Sequence, residues 1–398
     1  MTTASAYDPA SPDTARLGRF IESVVAGERV RAFVPPPLPP TPPLELRPLL
    51  PLLGRADRAL GRLDGLTQLL PDPQLFLYAY IRKEALLSSQ IEGTQSSLTD
   101  LFALEAGEDL VVRFDEVLEV SNYVAAMQHG LDRLATLPLS LRLIRELHER
   151  LLRDGRGATK QPGEFRRSQN WVGGTRPGNA MYVPPPPQEV MPCLDGLERF
   201  IHDQSTDLPP LIRAGLVHVQ FETIHPFLDG NGRVGRLLIT LMLCAEGILR
   251  QPLLYLSLYF KANRSDYYRL LQEVRERGTW EVWLEFFLAG VESTASQAVD
   301  AAGRILTLFD GDRQRIEATA ERAGSALRVY EHLKSRLMVS QKMVTAATKL
   351  SPATVNTALD ALVRLGIARE ITGRQRNRFY AYDGYLSILS EGAEPIPS

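Results

Sequence analysis

The chain has 398 residues, of which 44% are hydrophobic and 23% charged, with a formal net charge of −2. That is the composition of a globular protein of two or three domains, and its charge supplies no overall attraction to nucleic acid or an anionic membrane. The two cysteines, Cys193 and Cys244, lie in separate segments without a Cys-x-x-Cys, which argues against a disulfide framework or a cysteine zinc site and fits a reducing compartment. The most apolar stretch, Leu237 to Phe260, is broken by Glu246 and Arg250, too short on either side to span a bilayer. The N-terminus carries Asp8, Asp13 and Glu22 and does not read as a signal peptide. The expectation is a cytoplasmic protein with no membrane partner.

In chain order, the first 33 residues predict one short helix around Leu17 to Ala26. Pro35 to Pro43 predicts an extended strap, either an SH3-type ligand or a stiff segment lying on the protein's own surface. Asp72-Pro73 reads as a helix start, with Asp at the N-cap and Pro at the first helical position. Phe76, Tyr80, Leu87 and Ile91 then share one face, and Gly93 supplies a stop. Helical patterns follow at Asp115 to Leu134, Ser140 to Leu152, Met191 to Gln204 and Pro210 to Ile224. Between the second and third of these, Asn170 to Pro187 predicts a hairpin, with Trp171-Val172 and Met181-Tyr182-Val183 strand-like around Gly173 to Gly178. It is the one clear β signal before the C-terminal region. Helices resume at Arg233 to Ala245, at Ser265 to Glu276, and from Trp280 to near Arg322. The last segment predicts three short helices, Ala326 to Leu337, Ser340 to Thr348 and Ser351 to Leu365. Two strands, Ile367 to Ile371 and Arg378 to Tyr382, follow around Thr372 to Asn377. Three helices and a basic two-stranded wing describe a winged helix.

The densest chemistry lies in His225-Pro226-Phe227-Leu228-Asp229-Gly230-Asn231-Gly232-Arg233-Val234-Gly235-Arg236. Gly230-Asn231-Gly232 can turn several backbone N–H groups inward as an anion nest. A helix starting near Gly232 presents its positive end to the same place. Arg233 and Arg236, three apart, project from one helical face, and two guanidinium forks over a nest suit a polyphosphate. Asp229 offers an oxygen to Mg²⁺, which takes one or two carboxylates plus phosphate oxygens. His225, with a pKa expected near neutral, suits removal of a proton from an attacking hydroxyl. His218, Glu222 and His225 also fall on one helical face, a zinc-like constellation. However, His-Glu-x-x-His is absent and Phe221, Ile224 and Phe227 suggest a packed helix, so His218 is read as a structural histidine paired with Glu222. The Walker pattern Gly-x-x-x-x-Gly-Lys-Ser/Thr does not occur.

His225 to Arg236 resembles the signature of the Fic family, His-x-Phe-x-Asp/Glu-Gly-Asn-Gly-Arg-x-x-Arg, at every fixed position. The resemblance extends over roughly residues 46 to 290 and includes Pro162-Gly163-Glu164-Phe165-Arg166 and Asn263-Arg264-x-x-Tyr267-Tyr268. It implies an all-α core with a small β-hairpin flap, and transfer of AMP from ATP to Ser, Thr or Tyr of a target protein. It also implies that His225 is the general base, that Asp229 holds Mg²⁺ and that Gly230, Asn231 and Gly232 cradle the phosphates. Arg233 and Arg236 would clamp the β- and γ-phosphates, with Gly235 among the phosphate-binding residues. Phe227 would be a packing anchor, and Asn263 and Tyr267 would lie near the nucleoside. The hairpin looks like the family's flap, in which Trp171, Val172, Gly173, Tyr182 and Val183 would dock a target by main-chain hydrogen bonds.

Ser88-Ser89-Gln90-Ile91-Glu92-Gly93 resembles the family's inhibitory motif, Ser/Thr-x-x-x-Glu-Gly/Asn. Glu92 would form a bidentate pair with Arg236 and take the arginine that the γ-phosphate needs. Ser88 would hydrogen-bond near the phosphates or hold the helix, and Gly93 would let the chain turn away. From Gly324 to Asp383, ten Lys or Arg stand against four Asp or Glu, a net of +6, with Arg374, Arg376 and Arg378 in the wing. Val355, Leu359, Leu362 and Val363 should be buried, leaving Thr354, Asn356 and Thr357 to face a groove.

These patterns divide the chain into six parts. Residues 1–45 form an N-terminal arm with the strap, 46–105 N-terminal helices with the inhibitory motif, and 106–290 the catalytic core. Residues 291–322 form a linking helix, 323–388 the winged helix and 389–398 a tail. The expected function is a self-inhibited protein adenylyltransferase using ATP and Mg²⁺. Its partners would be a protein with an exposed hydroxyl, itself included, and DNA or protein at the winged helix. Two alternatives stand beside it. One is a DNA-binding regulator whose core senses nucleotide, and the other is a hydrolase that removes AMP, with Glu92 orienting a water.

Overall fold

Residues 14–69, 73–107, 114–155, 157–319 and 323–396 are described by the computed structural model. The N-terminal arm is a β-hairpin, not the helix expected at Leu17 to Ala26. Strand β1 (Arg19–Val25) pairs antiparallel with β2 (Glu28–Val34), Val25 opposite Glu28. Ala26 and Gly27 reverse the chain, both at positive φ (51° and 85°). Such a two-residue reversal matches strand twist, and Ile21, Val24, Val25 and Val30 suit a pleated surface better than a helix. The proline strap that follows holds neither helix nor strand and lies on the protein's own surface. Gln220 donates to the Pro36 carbonyl (2.8 Å), and Arg16 donates to those of Pro42 (2.9 Å) and Pro43 (2.5 Å).

Eleven α-helices follow among the described residues before the C-terminal segment: α1 (Leu50–Leu69), α2 (Pro73–Ile91), α3 (Leu98–Glu105), α4 (Phe114–Leu134), α5 (Leu141–Leu151), α6 (Pro187–His202), α7 (Pro210–Ile224), α8 (Asn231–Ala245), α9 (Ser257–Ala262), α10 (Arg264–Arg277) and α11 (Trp280–Thr319). The expected helix starts and stops at Asp72 and Arg322 lie outside the described residues. At the centre, α7 is buried all round from Leu211 to Ile224, the mark of a core helix rather than an amphipathic one. It packs against α8 across the turn that carries the motif, while α2, α4 and α5 cover α8. His218 does not pair with Glu222. Its Nδ1–H donates to the Gly235 carbonyl (3.0 Å), and its Nε2 accepts from the Tyr267 hydroxyl (2.9 Å). Its ring stacks near Phe260, Tyr267 and Trp283. Tyr267, 1% exposed, therefore belongs to this core cluster and not to an open nucleoside pocket.

The C-terminal segment begins with α12 (Ala323–Arg336) and continues through β3 (Met338–Ser340), α13 (Gln341–Thr348) and α14 (Pro352–Arg364). It ends with β4 (Ala368–Glu370), β5 (Phe379–Tyr382) and α15 (Asp383–Ser390). The sheet order is β3-β5-β4, antiparallel throughout, one strand more than expected. Ser351 caps α14 by accepting from the Thr354 N–H. Val355, Leu359 and Leu362 are buried as expected, but Val363 is 38% exposed and Ala358 takes its place. Residues 391–394 then lie across α2 and α9. Lys83 donates to the Glu391 carbonyl (3.0 Å), buried Gln90 to that of Ala393 (2.9 Å), and Lys261 to that of Gly392 (3.1 Å). The end of the chain thus bears on the helix that carries Ser88. Among the described residues no helix is long and apolar enough to cross a membrane.

Candidate active site

Helix α7 ends at His225, which caps it in the left-handed region (φ 50°, ψ 59°) and donates its N–H to the Phe221 carbonyl. A non-glycine residue there stores on the order of 1 kcal/mol or more of strain, so its neighbours must hold it. Arg166 does so: its Nε donates to the His225 carbonyl (2.9 Å), its Nη2 to that of Pro185 (2.6 Å), and its own N–H to that of Pro226 (2.9 Å). Burial, with Arg275 and Arg166 nearby, pushes the His225 imidazole down to about 3. It is therefore neutral at physiological pH, and its pKa lies below the near-neutral value expected from sequence.

The turn from Phe227 to Gly230 is fixed from inside. Asn231 accepts the Phe227 N–H (2.8 Å) and donates to the Phe227 carbonyl (2.9 Å), which also receives Asn170 (2.9 Å). The Asn231 side chain thus shapes the turn, and only its backbone is left for an anion. Phe227 is fully buried and stacks flat on His148, ring centroids 3.7 Å apart, consistent with an anchor. Gly230 (φ 78°, ψ 5°) is the N-cap of α8, and its N–H is bonded to Asp229 Oδ1 (2.6 Å).

Arg236 is 2% exposed, and its Nε and Nη2 are engaged by α2 and its end. Its Nε donates to Ser88 Oγ (2.8 Å), and its Nη2 to the Ser88 carbonyl (2.9 Å) and to Glu92 Oε1 (2.7 Å). The bidentate fork expected with Glu92 is a single contact, because Ser88 shares the guanidinium. A Cβ on Gly232 would stand 2.3 Å from Glu92 Oε1, so the carboxylate rests against the N-terminus of α8 itself. Burial alone would raise the Glu92 carboxyl, but the charge and hydrogen bond of Arg236 hold it below its ordinary range. A side-chain anion thus sits where the helix end and Arg236 converge.

Arg233 turns elsewhere. Its guanidinium is 1% exposed, 3.6 Å from Asp229 and 3.5 Å from Glu119 on α4, and its Nε and Nη1 have no hydrogen-bond partner. Buried donors without a hydrogen bond are costly unless a further acceptor meets them. Asp229 keeps 34% of its side chain open. Among the described residues no group of three or more His, Cys, Asp or Glu is placed to hold a metal. A cation at Asp229 would take its other oxygens from substrate and water, which suits Mg²⁺ with a polyphosphate. Gly235 serves packing: a Cβ there would stand 2.3 Å from Glu222 Oε1. The Asn263 amide donates to the Tyr259 carbonyl (3.0 Å) at the α9–α10 junction. Of the residues expected near the nucleoside, neither presents an unengaged side chain.

In the hairpin, Val172 and Tyr182 form one bridge. Tyr182 and Val183 are buried, with the Tyr182 hydroxyl donating to the Thr223 carbonyl (2.5 Å) and the Phe33 N–H of β2 donating to that of Val183 (2.9 Å). They cannot be presented to a target as expected. Trp171, 37% exposed, and Gly173 form the outer edge. Sequence reasoning missed His148 and Glu119 entirely, and Asn170 entered only as the first residue of the hairpin. Arg166 entered only as part of Pro162 to Arg166.

Residues 138–243 match the Fic/DOC family, and residues 50–132 match the Fic/DOC family N-terminal region. The chain carries a Fic/DOC domain. Its relatives include the Protein adenylyltransferase Fic of Drosophila grimshawi, 35% identical over 164 residues, 41% of this chain and 31% of that protein. That of Drosophila mojavensis is 34% identical over 164 residues, 41% of this chain and 30% of that protein. The chain thus spans about a third of the length of these relatives. A solved Fic family protein from Desulfovibrio desulfuricans shares the fold, with a TM-score of 0.57 at 20% identity over 88% of this chain and 98% of that one. The Fic/DOC match contains His148 and His225 to Arg236, and the N-terminal match contains Ser88, Glu92 and Glu119.

Proposed function

We propose that this protein transfers AMP from ATP to a hydroxyl of a target protein and is held inactive by Glu92. The observation that carries the reading is the Glu92 carboxylate resting on Gly232 and bonded to Arg236. A helix N-terminus and an arginine that hold one anion so closely can hold a phosphate in its place. The target hydroxyl attacks the α-phosphorus. A new oxygen–phosphorus bond forms, the bond to the α,β-bridging oxygen breaks, and pyrophosphate leaves. The hydroxyl proton passes to the His225 imidazole, whose neutral ring offers a lone pair to receive it. Arg233, two of whose nitrogens lack a hydrogen bond, and Arg236, once freed, hold the β- and γ-phosphates, with the backbone of Gly230, Asn231 and Gly232 beneath. Asp229 would hold Mg²⁺, which when bound neutralises phosphate charge. The likeness to proteins named adenylyltransferases supports this assignment.

The flap edge at Trp171 to Gly173 suits an extended target segment. The helices α12 to α14 with the β3-β5-β4 sheet fit a winged helix, and Arg374, Arg376 and Arg378 fit phosphate contact on DNA. The six-part division of the chain belongs to the same proposal, with α11 running unbroken through 290. The test is incubation with ATP labelled at the α- or at the γ-phosphate. Label should reach protein from the α position only. Transfer of γ label, or of none by the Glu92→Gly protein with or without added protein substrate, would overturn the assignment.

A further inference from the structure

His148 lies on α5, fully buried, between two backbone segments far apart in sequence. The Gly163 N–H donates to its Nδ1 (2.9 Å). Nδ1 therefore carries the lone pair, and the ring hydrogen sits on Nε2, which donates to the Asp229 carbonyl (3.0 Å). The ring cannot tilt to relax either bond, because it lies within 7° of parallel to Phe227 at 3.7 Å. Gly163 reaches it only through a left-handed backbone (φ 79°). On the other side, a Cβ on Gly230 would stand 3.6 Å from His148 Cδ2.

We infer that His148 is a positioning residue for the Asp229–Gly230 peptide, aiming it through one tautomer of a neutral imidazole. The inference rests on the nucleotide reading of the site. In a planar trans peptide the carbonyl and the following N–H point in opposite directions. Holding the Asp229 carbonyl inward therefore holds the Gly230 N–H outward, where it meets Asp229 Oδ1. The same bond fixes where the Asp229 carboxylate starts from, and so where it presents an oxygen to a cation on the phosphates. The role needs an acceptor at one end of a rigid ring and a donor at the other. Neutral histidine supplies both; glutamine can keep the donor at the Nε2 position and asparagine only the acceptor near Nδ1. The two bonds of the ring act on the carboxylate without touching it, as an outer support does for a metal ligand.

The test uses the Glu92→Gly protein as parent, with His148→Phe, His148→Gln and His148→Asn added one at a time. ATP affinity is measured by calorimetry with Mg²⁺ and again with EDTA, beside the melting temperature and the transfer rate. His148→Phe keeps a flat ring on Phe227 and loses both hydrogen bonds; loss of the one that aims the Asp229 carbonyl should weaken ATP binding in Mg²⁺ about tenfold, with a smaller change in EDTA. His148→Asn should match it, and His148→Gln should recover to within about threefold of the parent. Equal losses in Gln and Asn, or equal losses with and without Mg²⁺, would reduce His148 to a packing residue and overturn the inference. The Gln and Asn pair decides even if the Phe variant does not fold. A parent that binds ATP but transfers no AMP sinks the proposed reaction alone. One that binds no ATP sinks both.

Discussion

Glu92→Gly removes one charge-assisted hydrogen bond from Arg236 and leaves the two to Ser88 in place. A hydrogen bond between charged groups contributes about 1.5–3 kcal/mol. Glu92 keeps 33% of its side chain open, which draws the figure toward the ~1 kcal/mol of exposed pairs. A value of about 1–2 kcal/mol corresponds to a roughly 5- to 30-fold rise in the fraction of protein whose Arg236 is available, at 1.4 kcal/mol per tenfold. Removal of the negative charge beside Gly232 pushes in the same direction. Auto-modification, followed with α-labelled ATP and Mg²⁺, should rise by about that factor. Arg236→Ala should not reproduce the gain, since it removes a phosphate ligand together with the partner of Glu92. The double variant should resemble Arg236→Ala, because both residues act through one interaction. An unchanged or lower rate in Glu92→Gly that melts like wild type would refute the inhibitory role of Glu92. A drop confined to removal of AMP would instead favour the hydrolytic alternative.

Gln90 ties α2 to the Ser96 and Ala393 carbonyls. Gln90→Ala should raise wild-type auto-modification a few-fold, roughly as one neutral hydrogen bond allows; no rise would mean that the C-terminal segment does not help seat Glu92. Arg374, Arg376 and Arg378 changed together to Ala should weaken duplex binding and flatten its salt dependence by ~0.9 for each phosphate no longer neutralised. An intact protein whose binding to DNA showed no salt dependence would point to protein docking instead. Burial pushes the Glu84 carboxyl from its ordinary 4.5 up to about 7, against the lowering effect of its bonds to Ser257. The folded state therefore holds this proton more tightly, so the contribution of Glu84 to stability is fullest below about 4.5 and declines as pH rises to about 7. Glu84→Gln should flatten that decline by up to about 3 kcal/mol, measured by denaturant unfolding at pH 5 and pH 8. An equal slope in both proteins would contradict it.

What could be read from the sequence was whatever a contiguous stretch encodes. His225 to Arg236 specifies its own turn and helix start, since Gly230 and Gly232 are needed where they stand. Ser88 and Glu92 sit one helical turn apart, so their shared face toward Arg236 was legible. The supports of the turn were not. His148, Arg166 and Asn170 act on backbone carbonyls 57 to 81 residues away, and a carbonyl leaves no mark in the sequence. Arg233 and Arg236 do share a helix face, but α4 draws one guanidinium and α2 the other. The N-terminal hairpin escaped because Ala26-Gly27 is not a strong turn pair and Phe20, Ile21, Val24 and Val25 fit either a helical face or a strand. Tyr267 was misplaced because an aromatic next to a motif does not announce that its hydroxyl is bonded to a buried histidine.

The central claim, that His225 to Arg236 moves AMP, is met most directly by intact mass of the Glu92→Gly protein after ATP and Mg²⁺, with and without His225→Ala. The account predicts an AMP adduct that disappears with His225→Ala, while ATP binding stays within about tenfold, because the base acts on the hydroxyl and not on the phosphates. An adduct that persists in His225→Ala at most of its rate would contradict it.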